Sequence, residues 1–137
     1  MHEKILIVDD SRQIVELVQM LLEQEGYTVS AAFDGVEALR SVKEFKPDLI
    51  ILDIMMPYID GYHLAHQLIH EQFDFPVPKI IVLTSRSGER EKKLSYAVGA
   101  LAYVQKPFEP ESFVKKVKEV LSNIVEEEGH EKDTDRG

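Results

Sequence analysis

Two adjacent carboxylates at Asp9 and Asp10, a third at Asp53, the hydroxyl of Thr84 and the ammonium of Lys106 are the residues best suited to chemistry in this chain. Each stands at or just past the end of a strand-length apolar run. Three acids brought together repel one another, and each raises the pKa of its neighbours unless a cation compensates. Oxygen donors with no His or Cys beside them suit a hard divalent ion. Mg2+ suits best, because it keeps several waters and takes one or two carboxylates plus a phosphate, with Mn2+ as the alternative ion. A carboxylate held between such an ion and a lysine is a nucleophile toward phosphorus, and Asp53, closing the central apolar run, is the choice for that role. The ion and Lys106 would offset charge on the phosphoryl oxygens during an in-line transfer, and Thr84 could donate to one of those oxygens. A lone Asp at a strand end is more often a turn former or a helix cap, and Asp10-Ser11 is also placed to cap the first helix. The weight lies in the set, because polar groups close four of five strands.

The runs that must position these residues are Lys4 to Val8, Thr28 to Ala32, Leu49 to Leu52, Ile80 to Leu83 and Leu101 to Val104. Ile5-Leu6-Ile7-Val8 and Leu49-Ile50-Ile51-Leu52 do not alternate with polar residues, the pattern of a parallel sheet covered on both faces. Helical periodicity fills the intervals. Ile14, Val18, Leu21 and Leu22 form one stripe, with Gly26 placed for a left-handed C-terminal cap. Asp34 and Glu37 read as a capping box, and Pro47 marks the exit from that helix. Pro110 suits a first helical position, followed by Phe113, Val114, Val117, Val120, Leu121 and Ile124. Shorter stripes predict helices over Tyr62 to Gln72 and Gly88 to Ala97. Strict alternation of five strands and five helices gives an α/β fold, a doubly wound (βα)5 sandwich with a five-stranded parallel sheet, since parallel crossovers are almost always right-handed. In such a sheet the ligand site lies beyond the carboxyl ends of the strands.

A chain of 137 residues with 44% hydrophobic content can bury one core, and its lack of cysteine excludes disulfides and thiolate metal sites. The formal charge is −9, of which the segment 125–137, with six acids and two bases, holds −4. The expectation is one domain over residues 1–124 and an acidic, disordered tail over 125–137. An acidic body lacks the basic stripe that nucleic acid requires and suits no anionic membrane. No signal peptide or span is legible at the N-terminus, so the expectation is a cytoplasmic protein.

At this point the chain resembles the receiver domain of two-component response regulators of the single-domain, CheY-like type. The resemblance is carried by Ile-Leu-Ile-Val-Asp9-Asp10, Asp53-Ile-Met-Met-Pro57, Asp60-Gly61, Thr84-Ser85 and Lys106-Pro107-Phe108, and it spans residues 4 to about 124. It implies the flavodoxin-like form of the fold. It implies further that Asp53 accepts a phosphoryl group from a sensor histidine kinase or histidine phosphotransfer protein, with small phosphodonors as substitutes. Asp10 and Asp53 would ligate Mg2+ with the backbone carbonyl of Met55, while Asp9 acts through a coordinated water and Lys106 pairs with the phosphoryl group. Thr84 and Tyr103 would form the switch, Lys106-Pro107 would be cis, and the last strand with its flanking helices (the α4-β5-α5 face) would meet a downstream protein target. The implied protein is a monomer or weak homodimer and not an enzyme beyond taking and losing its own phosphate. Ser85 stands where the family often has alanine, and Arg86 places a long cation at the mouth of the site.

Other signals weigh less. His63, His66 and His70 share a helix stripe, but nothing near them completes a zinc shell, so a solvated face is the better reading. Met55 and Met56 read as loop packing, and Glu126 to Glu128 as a charged helix end. A receiver unit of a larger regulator remains a competing function. An aspartate-nucleophile phosphohydrolase would place its nucleophile after the first strand with a second Asp two positions on, whereas Asp9 is followed by Asp10 and Ser11. A nucleotide-binding module would need a glycine-rich loop there.

Overall fold

The computed structural model describes residues 3–55, 61–85 and 88–122. The apolar runs form β1 (Lys4–Val8), β2 (Thr28–Ala32), β3 (Leu49–Asp53), β4 (Lys79–Thr84) and β5 (Ala102–Gln105). The helices between and after them are α1 (Arg12–Glu23), α2 (Gly35–Phe45), α3 (Gly61–His70), α4 (Glu89–Ala97) and α5 (Pro110–Ser122). All strands pair in parallel in the order β2-β1-β3-β4-β5, which is the predicted doubly wound sheet.

The pleat sorts each strand into two sets. Leu6, Val8, Ile50, Leu52, Ile80 and Val82 face a core closed by Ala38 and Val42 of α2 and by Leu64, Ala65 and Leu68 of α3. Ile5, Ile7, Leu49, Ile51, Ile81 and Leu83 face the other core, closed by Val15, Val18 and Leu22 of α1 and by Phe113, Val117 and Val120 of α5. Both sets must be apolar, which is why β1 and β3 show no alternation. Each such side chain, fully buried, contributes about 1.5–3 kcal/mol relative to exposure.

The helix ends follow local chemistry. Ser11 caps α1, its hydroxyl accepting from the Ile14 N–H, and Gly26 past the far end has φ 96°. Asp34 caps α2 by accepting from the Glu37 N–H at 2.7 Å, and the Glu37 carboxylate reaches back to the Phe33 N–H at 2.7 Å. Lys46 ends that helix in the left-handed region at φ 54°, immediately before Pro47. At α5 the Glu109 carboxylate accepts from the Ser112 N–H at 2.8 Å, with Pro110 in the first turn.

Boundaries differ from the sequence expectation by one or two residues. β3 and β4 run one residue further, so Asp53 and Thr84 are the last residues of their strands, and β5 is shifted by one to Ala102–Gln105. α3 stops at His70, short of Gln72. Met56, Pro57, Asp60, Arg86, Ile124, the 124/125 boundary and the tail 125–137 lie outside the described residues. Among the described residues no helix is long and apolar enough to cross a membrane.

Candidate functional site

All five strands run the same way, so their carboxyl ends share one rim. β1 carries its ladder one residue past Val8, the Asp9 N–H donating to the Ala32 carbonyl at 3.1 Å, and this buries Asp9 completely. Its Oδ1 accepts from the Ser11 N–H at 2.9 Å, so the residue that caps α1 also orients Asp9. Asp10, next along, is exposed. β3, central in the sheet, delivers Asp53, whose Oδ1 accepts from the Met55 N–H at 2.8 Å. Thr84 closes β4 and is fully buried.

Lys106 comes to the rim from the end of β5. Its backbone N–H donates to the Thr84 carbonyl at 2.7 Å, and the Lys106-Pro107 bond is cis. The ammonium then bridges two carboxylates, with Nζ 2.9 Å from Asp9 Oδ2 and 3.2 Å from Asp53 Oδ2. Carboxylate oxygens of Asp9, Asp10 and Asp53 lie within 4.8 Å of one another. No other group of three His, Cys, Asp or Glu ligands occurs among the described residues. Formally, three carboxylates face one ammonium and two negative charges are left over, the amount one divalent cation neutralises. Oxygen-only donors of this kind fit a hard ion.

Burial pushes the Asp9 carboxyl above the usual carboxylate range, and the nearby Asp53 charge adds to this, against the Lys106 and Ser11 hydrogen bonds that favour the anion. For Lys106, burial works against the charged form, but the Asp9 hydrogen bond and the Asp53 charge outweigh it, so its pKa is raised. The two shifts are compatible: the lysine stays charged, and the deeply buried acid bears the cost of three like charges.

Tyr103 lies on β5 opposite Val82, partly buried against the core beneath α2 and α3. Burial raises the pKa of its phenol, and the Glu91 carboxylate of α4 raises it further. Glu91 and its partner Tyr62 were not singled out from sequence. The one available signal was weak: the apolar stripe of α4 is short, and the helix carries Glu91 and Ser95 four residues apart. His63, His66 and His70 are all exposed on α3, with the His66 and His70 rings stacked at 4.1 Å.

A doubly wound sheet whose rim gathers three acids, a buried threonine and a lysine is a flavodoxin-like α/β domain with a charged site beyond the strand ends. Residues 5–118 match the response regulator receiver domain, and the chain belongs to that family. It is 44% identical over 121 residues to the alkaline phosphatase synthesis transcriptional regulatory protein PhoP of Bacillus subtilis, a match covering 88% of this chain and 49% of that protein. It is 39% identical to the regulatory protein VanRc of Enterococcus gallinarum, over 88% of this chain and 51% of that protein. The chain thus spans about half the length of these curated relatives. A CheY-like response regulator receiver domain protein of Methanospirillum hungatei superposes with a TM-score of 0.82 at 31% identity, covering 93% of this chain and 99% of that one. The BeF3-activated N-terminal receiver domain of RstA from Klebsiella pneumoniae gives 0.78 at 29% identity, over 86% and 97%.

Proposed function

We propose that this receiver domain takes a phosphoryl group onto Asp53 from a sensor histidine kinase or histidine phosphotransfer protein, in a reaction that needs Mg2+ at the acidic cluster, and that this modification switches binding of a downstream protein. The observation that carries the reading is the Lys106 ammonium, seated between the Asp9 and Asp53 carboxylates at the rim where the three acids meet.

In the transfer, an Asp53 carboxylate oxygen forms a bond to phosphorus while the bond from phosphorus to the donor nitrogen or oxygen breaks. Asp10, Asp53 and the Met55 carbonyl would hold the ion, and Asp9 would act on it through a water. Bound Mg2+ supplies positive charge against the phosphoryl oxygens. Lys106 is released from Asp53 as that carboxylate becomes an acyl phosphate, and its ammonium pairs with the phosphoryl oxygens instead. The phosphoryl group carries roughly −1.5 to −2 charges in place of the carboxylate's −1 and brings three acceptor oxygens, which draws Lys106 and the Thr84 hydroxyl inward and leaves room for Tyr103 to turn. Throwing a two-state switch almost fully needs about 5.5 kcal/mol, more than one phosphoryl hydrogen bond contributes, so target binding at the face of α4, β5 and α5 completes the shift. The protein works in the cytoplasm in this reading.

The test is intact mass after incubation with acetyl phosphate and Mg2+. Wild type should gain one phosphate and Asp53→Ala none, and chelation of the metal should abolish the gain. Equal labelling of both proteins sinks the assignment of Asp53. A second reading is favoured by the relatives, which are about twice as long and include a protein named as a transcriptional regulator: the domain is then the receiving half of a larger regulator, with the same chemistry at Asp53.

A further inference from the structure

α1, α2, α3 and α5 bury apolar side chains against the sheet, whereas the buried residues of α4 are Glu91 and Ser95. Glu91 is 8% exposed and Ser95 is 0% exposed, and four residues apart they share one helical face. A buried carboxylate is retained only with a good partner. Here the partner is Tyr62 of α3, whose hydroxyl donates to Glu91 Oε1 at 2.6 Å and also lies 3.4 Å from the Glu91 carbonyl. The Ser95 hydroxyl donates to that same carbonyl at 2.9 Å. Arg90 comes within 3.9 Å of Oε2, but it is highly exposed and solvent screens it. The helix start adds little hold, since Gly88 at the cap position, with φ 116°, offers no side-chain hydrogen bond. The first turn of α4 is therefore tied to α3 by a polar contact, whereas its far end packs on apolar neighbours, Val98 on the core and Gly99 against Ile69 of α3. A hydrogen bond is more readily exchanged than an interlocked apolar face.

α4 packs against β5, the strand that carries the switch residue Tyr103, and the Glu91 charge helps raise the Tyr103 phenol. Thr84, at the end of β4, leads directly into the connection to α4. We propose that the Tyr62-Glu91 hydrogen bond is a latch that fixes α4 in the unphosphorylated protein, and that movement of Thr84 and Tyr103 on phosphorylation of Asp53 releases it. Glu91 and Tyr62 are positioning residues in this scheme, and its second half rests on the phosphoacceptor reading above.

Hydrogen exchange read by mass spectrometry on the peptides covering α4 and α5 tests both halves. In unphosphorylated protein, Tyr62→Phe should speed exchange in α4 about tenfold and leave α5 unchanged, because one charge-assisted bond is lost locally. Glu91→Gln, which still accepts from Tyr62, should restore most of the protection that Glu91→Ala loses. Unchanged α4 exchange in Tyr62→Phe, or equal acceleration in α5, overturns the latch. With acetyl phosphate and Mg2+, α4 exchange in wild type should rise toward the Tyr62→Phe level. If intact mass shows Asp53 labelled while α4 exchange stays put, release by phosphorylation is overturned. If no label appears, the phosphoacceptor reading fails, and the unphosphorylated comparison still decides the latch.

Discussion

With Asp9 and Asp53 both bonded to one ammonium, Lys106→Ala leaves two largely buried carboxylates without the cation they share. Removing one partner of a buried pair costs about 3–5 kcal/mol. Urea unfolding of metal-free Lys106→Ala at neutral pH should show a loss near the lower figure, partly recovered by Mg2+; no loss would mean that the ammonium does not compensate these acids. Asp9 provides a second handle through pH. Its folded pKa lies above the ordinary value of 3.8, so between those values the folded state binds more protons than the unfolded chain, and stability from this group falls as pH rises. Relative to Asp9→Asn, metal-free wild type should therefore gain stability as pH falls from neutral toward the ordinary carboxylate range, and a pH-independent difference would refute the shift. Asp9 and Asp53 were legible from sequence because each is the first polar residue after an unbroken apolar run, and Lys106 because it follows the last run with only Gln105 between. Tyr62 and Glu91 were not, since they pair across 29 residues and neither helix has a local pattern that announces the partner.

At the scale of elements, the start of α3 is fitted to the turn after β3. A Cβ on Gly61 would run into the Ile54 Cα and carbonyl, which are backbone atoms and cannot swing away. Gly61→Ala should cost about 1–3 kcal/mol in urea unfolding. It should also slow Asp53 labelling, because Ile54 adjoins Asp53; normal stability and labelling would show that the helix moves aside freely. The Asp60-Gly61 pair thus has a packing reason at its glycine. β1 and β3 were read from sequence almost to the residue because both of their faces are buried, leaving only apolar side chains. α4 was, with α3, less sharply marked in the sequence for the opposite reason: its buried residues are Glu91 and Ser95, so hydrophobic periodicity had little to report.

For the whole molecule, the order β2-β1-β3-β4-β5 places β1 and β3 side by side, which is what joins Asp9, Asp10 and Asp53 into one cluster. Sequence reasoning could place these groups on one edge from parallelism alone. The distances depended on strand order, which the right-handed crossover rule narrows without measuring. That parallelism also puts the helix-to-strand connections on the opposite rim. The segments 24–27, 46–48, 71–78 and 98–101 turn there, a full strand length from Asp53. Added length in such a surface segment costs little entropy. A short glycine-serine insertion between Pro76 and Val77, where Val77 is 48% exposed, should therefore leave the rate of Asp53 labelling within about twofold of wild type. A fluorophore, tether or fused domain attached at that far end would report on the protein without disturbing the acidic cluster at its mouth.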